Sequence, residues 1–238
     1  MPKEGVNFIK HEDILSYEEI AEITAKLVEL GIDKVRLTGG EPLARRGIIS
    51  LVSMLSKIEG IKDLSITTNG VLLAKYAEDL KKNGINRLNV SLDSINPDKY
   101  KEITNTDKLQ EVLDGLQVAI KVGFNPIKLN CVIKESSGEK NAREVAEFAA
   151  KNGFKIRFIR MMNIAKGEFW PVEGGDGGNC RNCNRLRLSS DGRLFPCLFS
   201  DSSFSVKELG VEEAFMQALT YKPETGKKAQ NKFYTLGG

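Results

Sequence analysis

From residue 17 to residue 162 the chain alternates two kinds of segment. In one, apolar residues are spaced three and four apart; in the other, they recur at every second position. The first spacing lines one side of a helix and the second lines one face of a strand. Helical stretches are expected over 17–30, 48–58, 72–82, 97–103, 109–122 and 142–151, and strands over 34–38, 64–68, 86–92, 127–133 and 155–159. Ser16, with Glu19 three residues on, offers the first helix a capping pair, and Gly31 and Gly84 stop two helices. Strands separated by helices and short loops need right-handed parallel crossovers. The fold class is therefore α/β, either an open doubly wound sheet or a barrel.

The strands depart from the near-continuous apolar runs of a parallel sheet covered on both faces. Lys34, Arg36 and Thr38 alternate with Val35 and Leu37, and Ser65, Thr67 and Asn69 with Leu64 and Ile66. Arg87, Asn89, Ser91 and Asp93 alternate with Leu88, Val90 and Leu92, while Lys128 and Asn130 alternate with Ile127, Leu129 and Cys131. The apolar face must pack under the helices, so the polar side chains converge on a common interior. Charges and amides are costly to bury unpaired. That interior is therefore wet or holds a polar ligand, with chemistry at the carboxyl ends of the strands; an exposed sheet face is the plainer alternative.

After Met162 the periodicity stops. Residues 165–179 are rich in glycine and read as a linker or mobile loop. A compact cysteine-bearing segment follows, then a helix over 211–219 and a polar tail ending Leu236-Gly237-Gly238. This divides the chain into a barrel-forming part, 1–164, and a C-terminal part, 165–238. No apolar run approaches the roughly 20 residues of a membrane span, and the N-terminus lacks a signal-peptide core. A net charge of +3 is too slight to argue for nucleic acid. The single histidine, His11, sits in a charged stretch and reads as a surface residue. Four cysteines without a secretion signal point to a reducing cytoplasm, where clustered thiols bind metal more often than they pair.

Cys180-Arg-Asn-Cys183 is followed by Cys197, which a hairpin through Ser190-Asp191-Gly192 would return to it. Three thiolates suit an iron–sulfur cluster with one open iron; a zinc knuckle with a fourth ligand elsewhere is the alternative. Cys131 is the remaining thiol, but its strand position points it away from Lys128, as a small buried residue would. Arg181, Arg185, Arg187 and Arg193 surround the thiols. A strand over 186–189 would put Arg185 and Arg187 on one face, to hold an anionic substrate against the metal or to solvate a hairpin. At the end of the first strand, Thr38-Gly39-Gly40-Glu41-Pro42 lets backbone approach a ligand, with Glu41 free to accept from an ammonium, or forms a plain turn. Thr68-Asn69-Gly70 is a weaker signal, a turn common anywhere.

Several segments in order carry a resemblance: Arg36-Leu-Thr-Gly-Gly-Glu-Pro42, Thr67-Thr-Asn-Gly70, Asn89-Val-Ser-Leu-Asp93, Lys128-Leu-Asn130, Arg157-Phe-Ile159 with Met162, Cys180-Arg-Asn-Cys183-Asn-Arg-Leu-Arg187 with Cys197, and the closing Gly237-Gly238. Together they resemble the radical S-adenosylmethionine superfamily and, within it, the GTP 3′,8-cyclases of molybdenum cofactor biosynthesis. The resemblance implies a partial (β/α)6-type barrel with a small C-terminal cysteine-cluster domain. It implies conversion of GTP to 3′,8-cyclo-7,8-dihydro-GTP, in which a 5′-deoxyadenosyl radical takes hydrogen from the ribose. Gly39, Gly40, Glu41, Ser91 and Met162 would then hold S-adenosylmethionine, and Arg36, Thr67, Lys128, Arg185, Leu186 and Arg187 would hold GTP. Cys180, Cys183 and Cys197 would carry a [4Fe–4S] cluster whose open iron meets the guanine, with Arg185, Arg187, Gly237 and Gly238 at the reacting end.

The superfamily's other [4Fe–4S] cluster uses a CxxxCxxC motif just before a Met-Pro. This sequence opens at Met1-Pro2-Lys3-Glu4, so neither that triplet nor the first barrel strand is expected here. Strand 34–38 would be a bare edge, and the chain by itself would not turn over. The link from Met162 to Cys180 is short for the family, and Arg160 stands where an acidic residue is common. The implied partners are GTP, a one-electron donor, the downstream cyclic pyranopterin monophosphate synthase and a second copy in a homodimer, with no nucleic acid and no membrane. A non-catalytic iron–sulfur nucleotide-binding paralogue and another radical enzyme with an auxiliary cluster are the alternatives.

Overall fold

The structure, a computed structural model, describes residues 9–230. A short 3-10 turn, His11–Asp13, leads into α1 (Tyr17–Glu29). Ser16 and Glu19 cap α1 reciprocally: the Glu19 N–H donates to Ser16 Oγ at 3.1 Å, and the Ser16 N–H donates to Glu19 Oε2 at 2.7 Å. Then come β1 (Lys34–Leu37), α2 (Ile48–Ser56), β2 (Asp63–Thr68), α3 (Leu73–Lys82), β3 (Arg87–Ser91), α4 (Pro97–Thr104), α5 (Leu109–Lys121), β4 (Ile127–Ile133), α6 (Lys140–Lys151) and β5 (Lys155–Arg160). Each expected helix and strand forms, with ends shifted by one or two residues.

All strand pairs in this sheet are parallel, and the order is β1-β2-β3-β4-β5. That order settles what periodicity left open. A doubly wound sheet reverses its strand order at a switch point; sequential order with right-handed crossovers puts every helix on one face and leaves the other concave. The helix-side face is the core: Leu64, Ile66, Leu88, Val90, Ile127, Leu129, Cys131 and Ile133 are each no more than 3% exposed. Among the described residues, β1 pairs only with β2 and forms one edge of the sheet.

Residues 165–179, expected as a linker or mobile loop, form a strap along the other edge. Phe158 and Glu173 exchange N–H···O bonds of 3.0 and 3.1 Å, which covers part of β5. Close packing explains the glycines. A Cβ on Gly174 would lie 2.5 Å from the Ile156 carbonyl oxygen, and one on Gly178 would lie 2.1 Å from that of Trp170. Both also have positive φ, 76° and 75°.

Beyond the strap, β6 (Arg187–Leu188), β7 (Arg193–Phe195) and β8 (Phe204–Ser205) make a small antiparallel sheet, followed by α7 (Val206–Leu209) and α8 (Val211–Thr220). The β6–β7 hairpin turns through residues 190–192 as its sequence suggests. Leu194, Val206 and Phe215 pack with Leu15 and Ile23, so this unit shares an apolar cluster with α1. A further cluster of Ile164, Phe195, Leu198 and Phe199 receives Met162 and Cys197, joining the end of β5 to the cysteine segment. Among the described residues, no helix is long and apolar enough to cross a membrane.

Candidate functional site

Strand register assembles the concave face in rows. Arg36 pairs with Ser65 and Ser65 with Arg87; Thr67 pairs with Asn89, then Lys128 and Lys155; Ser91 pairs with Asn130 and then Arg157. Polar side chains therefore neighbour polar side chains across every strand. Arg87 makes a 2.6 Å ion pair with Asp63, and Arg157 reaches Asn89 Oδ1 at 3.4 Å. Buried Arg87 Nε, Arg157 Nε, Asp63 Oδ1 and Asn130 Oδ1 have no protein partner. Orphaned donors and acceptors at this depth need water or a ligand.

Electrostatics binds the rows into one chamber. Desolvation, reinforced by Arg185, Arg157 and Arg87 and opposed by Asp63, pulls Arg36 down to about 10. Arg36 is nonetheless exposed by area, so the concavity is open on its side. Burial first, then Arg157, Arg87, Lys155 and Arg36, holds Lys128 below the ordinary lysine value. Arg157 is likewise lowered by burial and by Arg87 and Arg185, with Asp176 opposing. Guanidinium groups stay charged at neutral pH. The cations thus repel one another with few carboxylates to offset them.

The C-terminal unit brings a further cation to this face. Arg185, from the segment before β6, is near enough to press on both Arg36 and Arg157. Arg187 is lowered by burial, while Cys197 and Cys183 pull it back up. Cys180 and Cys183 bracket a 3-10 turn, with the Cys183 N–H donating to the Cys180 carbonyl at 3.1 Å. Cys197 Sγ accepts from the Phe199 N–H at 3.4 Å. All three thiols are free and partly accessible. Their donor chemistry suits an iron–sulfur centre, although no three cysteine, histidine or acidic groups among the described residues stand close enough together to hold a metal.

The other cysteine-side residues diverge. Leu186 packs its side chain into the cluster shared with α1. Arg193 bonds Ser203 through Nε at 2.9 Å and so ties β7 to the segment before β8. Arg181 lines a separate open cleft of about 800 Å³ beside Cys180, with Phe169 and Glu224. Cys131 is 1% exposed, and burial, with Asp93 and Glu139, pushes it up to about 12, the state of an inert thiol.

At the carboxyl ends of the strands, Gly39 takes φ +142°, and a Cβ there would meet nothing within 4 Å. The backbone is open to whatever occupies the mouth. Gly40 and Ser91 are exposed beside it, and Met162 is half-buried where β5 meets the cysteine unit. Glu41 is engaged by the protein itself. It accepts from the Leu43 N–H at 2.9 Å, the Thr68 hydroxyl at 2.7 Å and the Asn69 N–H at 2.7 Å, locking the β1 loop to the β2 loop. The Thr68-Asn69-Gly70 turn, unremarkable in sequence, is therefore half of a clamp. Burial raises Asp93, against the Val132 N–H that its carboxylate accepts at 2.7 Å. Asp63, Arg87 and Arg157 join the chamber without having been singled out as site residues; their strand parity was the available signal. Gly237 and Gly238, and the His11 side chain, lie outside what the structure describes.

The family model of the radical SAM superfamily matches residues 2–162. A GTP 3′,8-cyclase of Alkaliphilus oremlandii is 37% identical, covering 94% of this chain and 85% of that protein. One of Peptoclostridium acidaminophilum is 34% identical, covering 100% and 90%. The first alignment spans 272 positions against 238 residues here, so that relative carries stretches between matched residues that this chain lacks. The fold is shared with a solved structure of anSMEcpe with bound AdoMet, at TM-score 0.64 and 15% identity over 91% of this chain and 74% of that one. Streptococcus suis SuiB aligns at 0.56 and 18%, covering 68% and 36%. With a one-sided parallel sheet whose polar face gathers cations, and matched along nearly its whole length by these relatives, the chain belongs to the radical SAM superfamily and, within it, to the GTP 3′,8-cyclase family.

Proposed function

We propose that this chain binds GTP in the cationic chamber, as a member of the GTP 3′,8-cyclases of molybdenum cofactor biosynthesis. The observation that carries this reading is the convergence of Arg36, Arg87, Lys128, Arg157 and Arg185 around buried donors without partners. Mutually repelling cations in a partly desolvated hollow gain most from a polyanion, and a triphosphate supplies one. Thr67 stands in register between the arginine rows to orient the nucleotide. Arg185 and Arg187 close over it and exclude water.

Gly39, Gly40, Ser91 and Met162 would hold S-adenosylmethionine at the mouth, with Glu41 fixing the loop shape there. Cys180, Cys183 and Cys197 would carry a [4Fe–4S] cluster. When bound, these groups and the superfamily's reducing cluster supply the radical chemistry; the protein's part is to align and desolvate the reactants. The reading also requires a one-electron donor, and a downstream cyclic pyranopterin monophosphate synthase to consume the product.

Calorimetric titration with GTP tests the reading, and absence of binding would sink it. Anaerobic reconstitution of this chain should incorporate about four irons rather than eight, as one cysteine triplet allows. One tightly held zinc without sulfide would defeat the cluster assignment. Affinity should also fall at alkaline pH. Lys128 titrates below the ordinary lysine value in the free protein, and a bound anion raises it again. Tight binding therefore holds while the amine is protonated and is lost as pH rises through the lowered free value. Lys128→Arg should flatten that decline; an unchanged profile would place Lys128 outside the site.

A further inference from the structure

We propose that Lys222 is a positioning residue of the substrate site, acting through the backbone of Arg185. Its Nζ donates to the Arg185 carbonyl at 2.6 Å and to the Pro196 carbonyl at 2.8 Å. Among the described residues it makes no ion pair, so its donors go to these two oxygens. Lys222 is held at the end of α8, where its own N–H donates to the Leu219 carbonyl at 3.1 Å. One ammonium thus joins the segment entering β6, the segment leaving β7 and the end of α8.

The reason it is needed lies in the ladder. β6 and β7 pair Leu188 with Leu194 and Arg187 with Phe195, and there the pairing stops. Continued in the same register, Arg185 would oppose Cys197. The ladder stops short of that pair. Two carbonyls left facing a common space cannot bond each other, and a three-donor ammonium bridges them. The position matters because Arg185 sits among like charges. Arg36, Arg157 and Arg187 all repel it, so it needs an anchor that does not depend on substrate. Lys222 provides that anchor and, through Pro196, sets Arg185 relative to Cys197.

This inference rests on the GTP-binding reading. Lys222→Met keeps the apolar stem and removes the donors, and should weaken GTP binding about tenfold. Lys222→Arg should restore most of that affinity. The decisive arm is the Arg185→Ala background, where Lys222→Met should change affinity by less than about twofold, because the group through which it acts is gone. A purely structural lysine would cost the same in both backgrounds. Full-strength binding by Lys222→Met, or an equal loss in the Arg185→Ala chain, would overturn the inference alone; a wild-type chain that bound no GTP would take both readings down. Should Lys222→Met fold poorly, judged by its circular-dichroism melt, Lys222→Gln keeps one donor pair and should bind between wild type and Lys222→Met. Wild-type affinity in a folded Lys222→Gln chain would count against the role.

Discussion

Arg187→Ala should weaken GTP binding by about 1.5–3 kcal/mol, roughly 10- to 150-fold, the range for a hydrogen bond to a charged group with its desolvation. Arg187 differs from the other chamber cations in two respects. It is the cation most influenced by the cysteine thiols, with Cys197 and Cys183 offsetting its burial, and it begins a strand whose pairing with Phe195 fixes its backbone. On the GTP-binding reading, a guanidinium carried by a paired strand beside the cysteines would be partly preorganised, and less ordering entropy would be lost on binding. Arg187→Lys should recover only a small part, because an ammonium cannot reproduce the planar fork. Titration calorimetry on the three chains checks this. Equal affinity in all of them would return Arg187 to a charge that merely solvates the hairpin.

Leu88→Ala should destabilise the fold by about 2–5 kcal/mol, the cost of removing a fully buried leucine and leaving part of its volume empty. Leu88 is 0% exposed on β3, the middle strand, with Ile66 and Ile127 in register on either side. The helices packed on that face leave little room for collapse. Urea unfolding should show a lower midpoint with an unchanged slope. The same strand carries Arg87 and Asn89 on its opposite face, so the variant also separates stability from function. At temperatures where it stays folded, its GTP affinity should remain near wild type. A loss of less than about 1 kcal/mol would mean that the helix layer relaxes over the sheet more freely than a close-packed core does.

Local pattern already contained much of this protein. Alternation along Lys34–Leu37, Arg87–Ser91 and Ile127–Ile133 determined which side chains share a face, because successive strand residues point in opposite directions whatever the strand's neighbours. It therefore determined that Arg36, Asn89 and Lys128 oppose the core. Ser16 and Glu19 announced the start of α1 because a capping box is closed within four residues. The motifs carried the family for a similar reason, since each is a short run whose meaning survives without its surroundings.

Tertiary structure decided whatever depends on distance between segments. Strand order, and with it the single-sided barrel, is set by which crossover lies beside which, and no periodicity encodes that. Glu41 is a clamp only because the ends of β1 and β2 are adjacent. The glycine-rich stretch is a strap only because β5 has an edge to pair with, and a glycine that avoids a carbonyl looks in sequence like one that loosens a linker. Arg185 and Arg36 are brought together although almost the whole sheet separates them along the chain. Their mutual repulsion, which makes the chamber receptive to a polyanion, exists only in three dimensions.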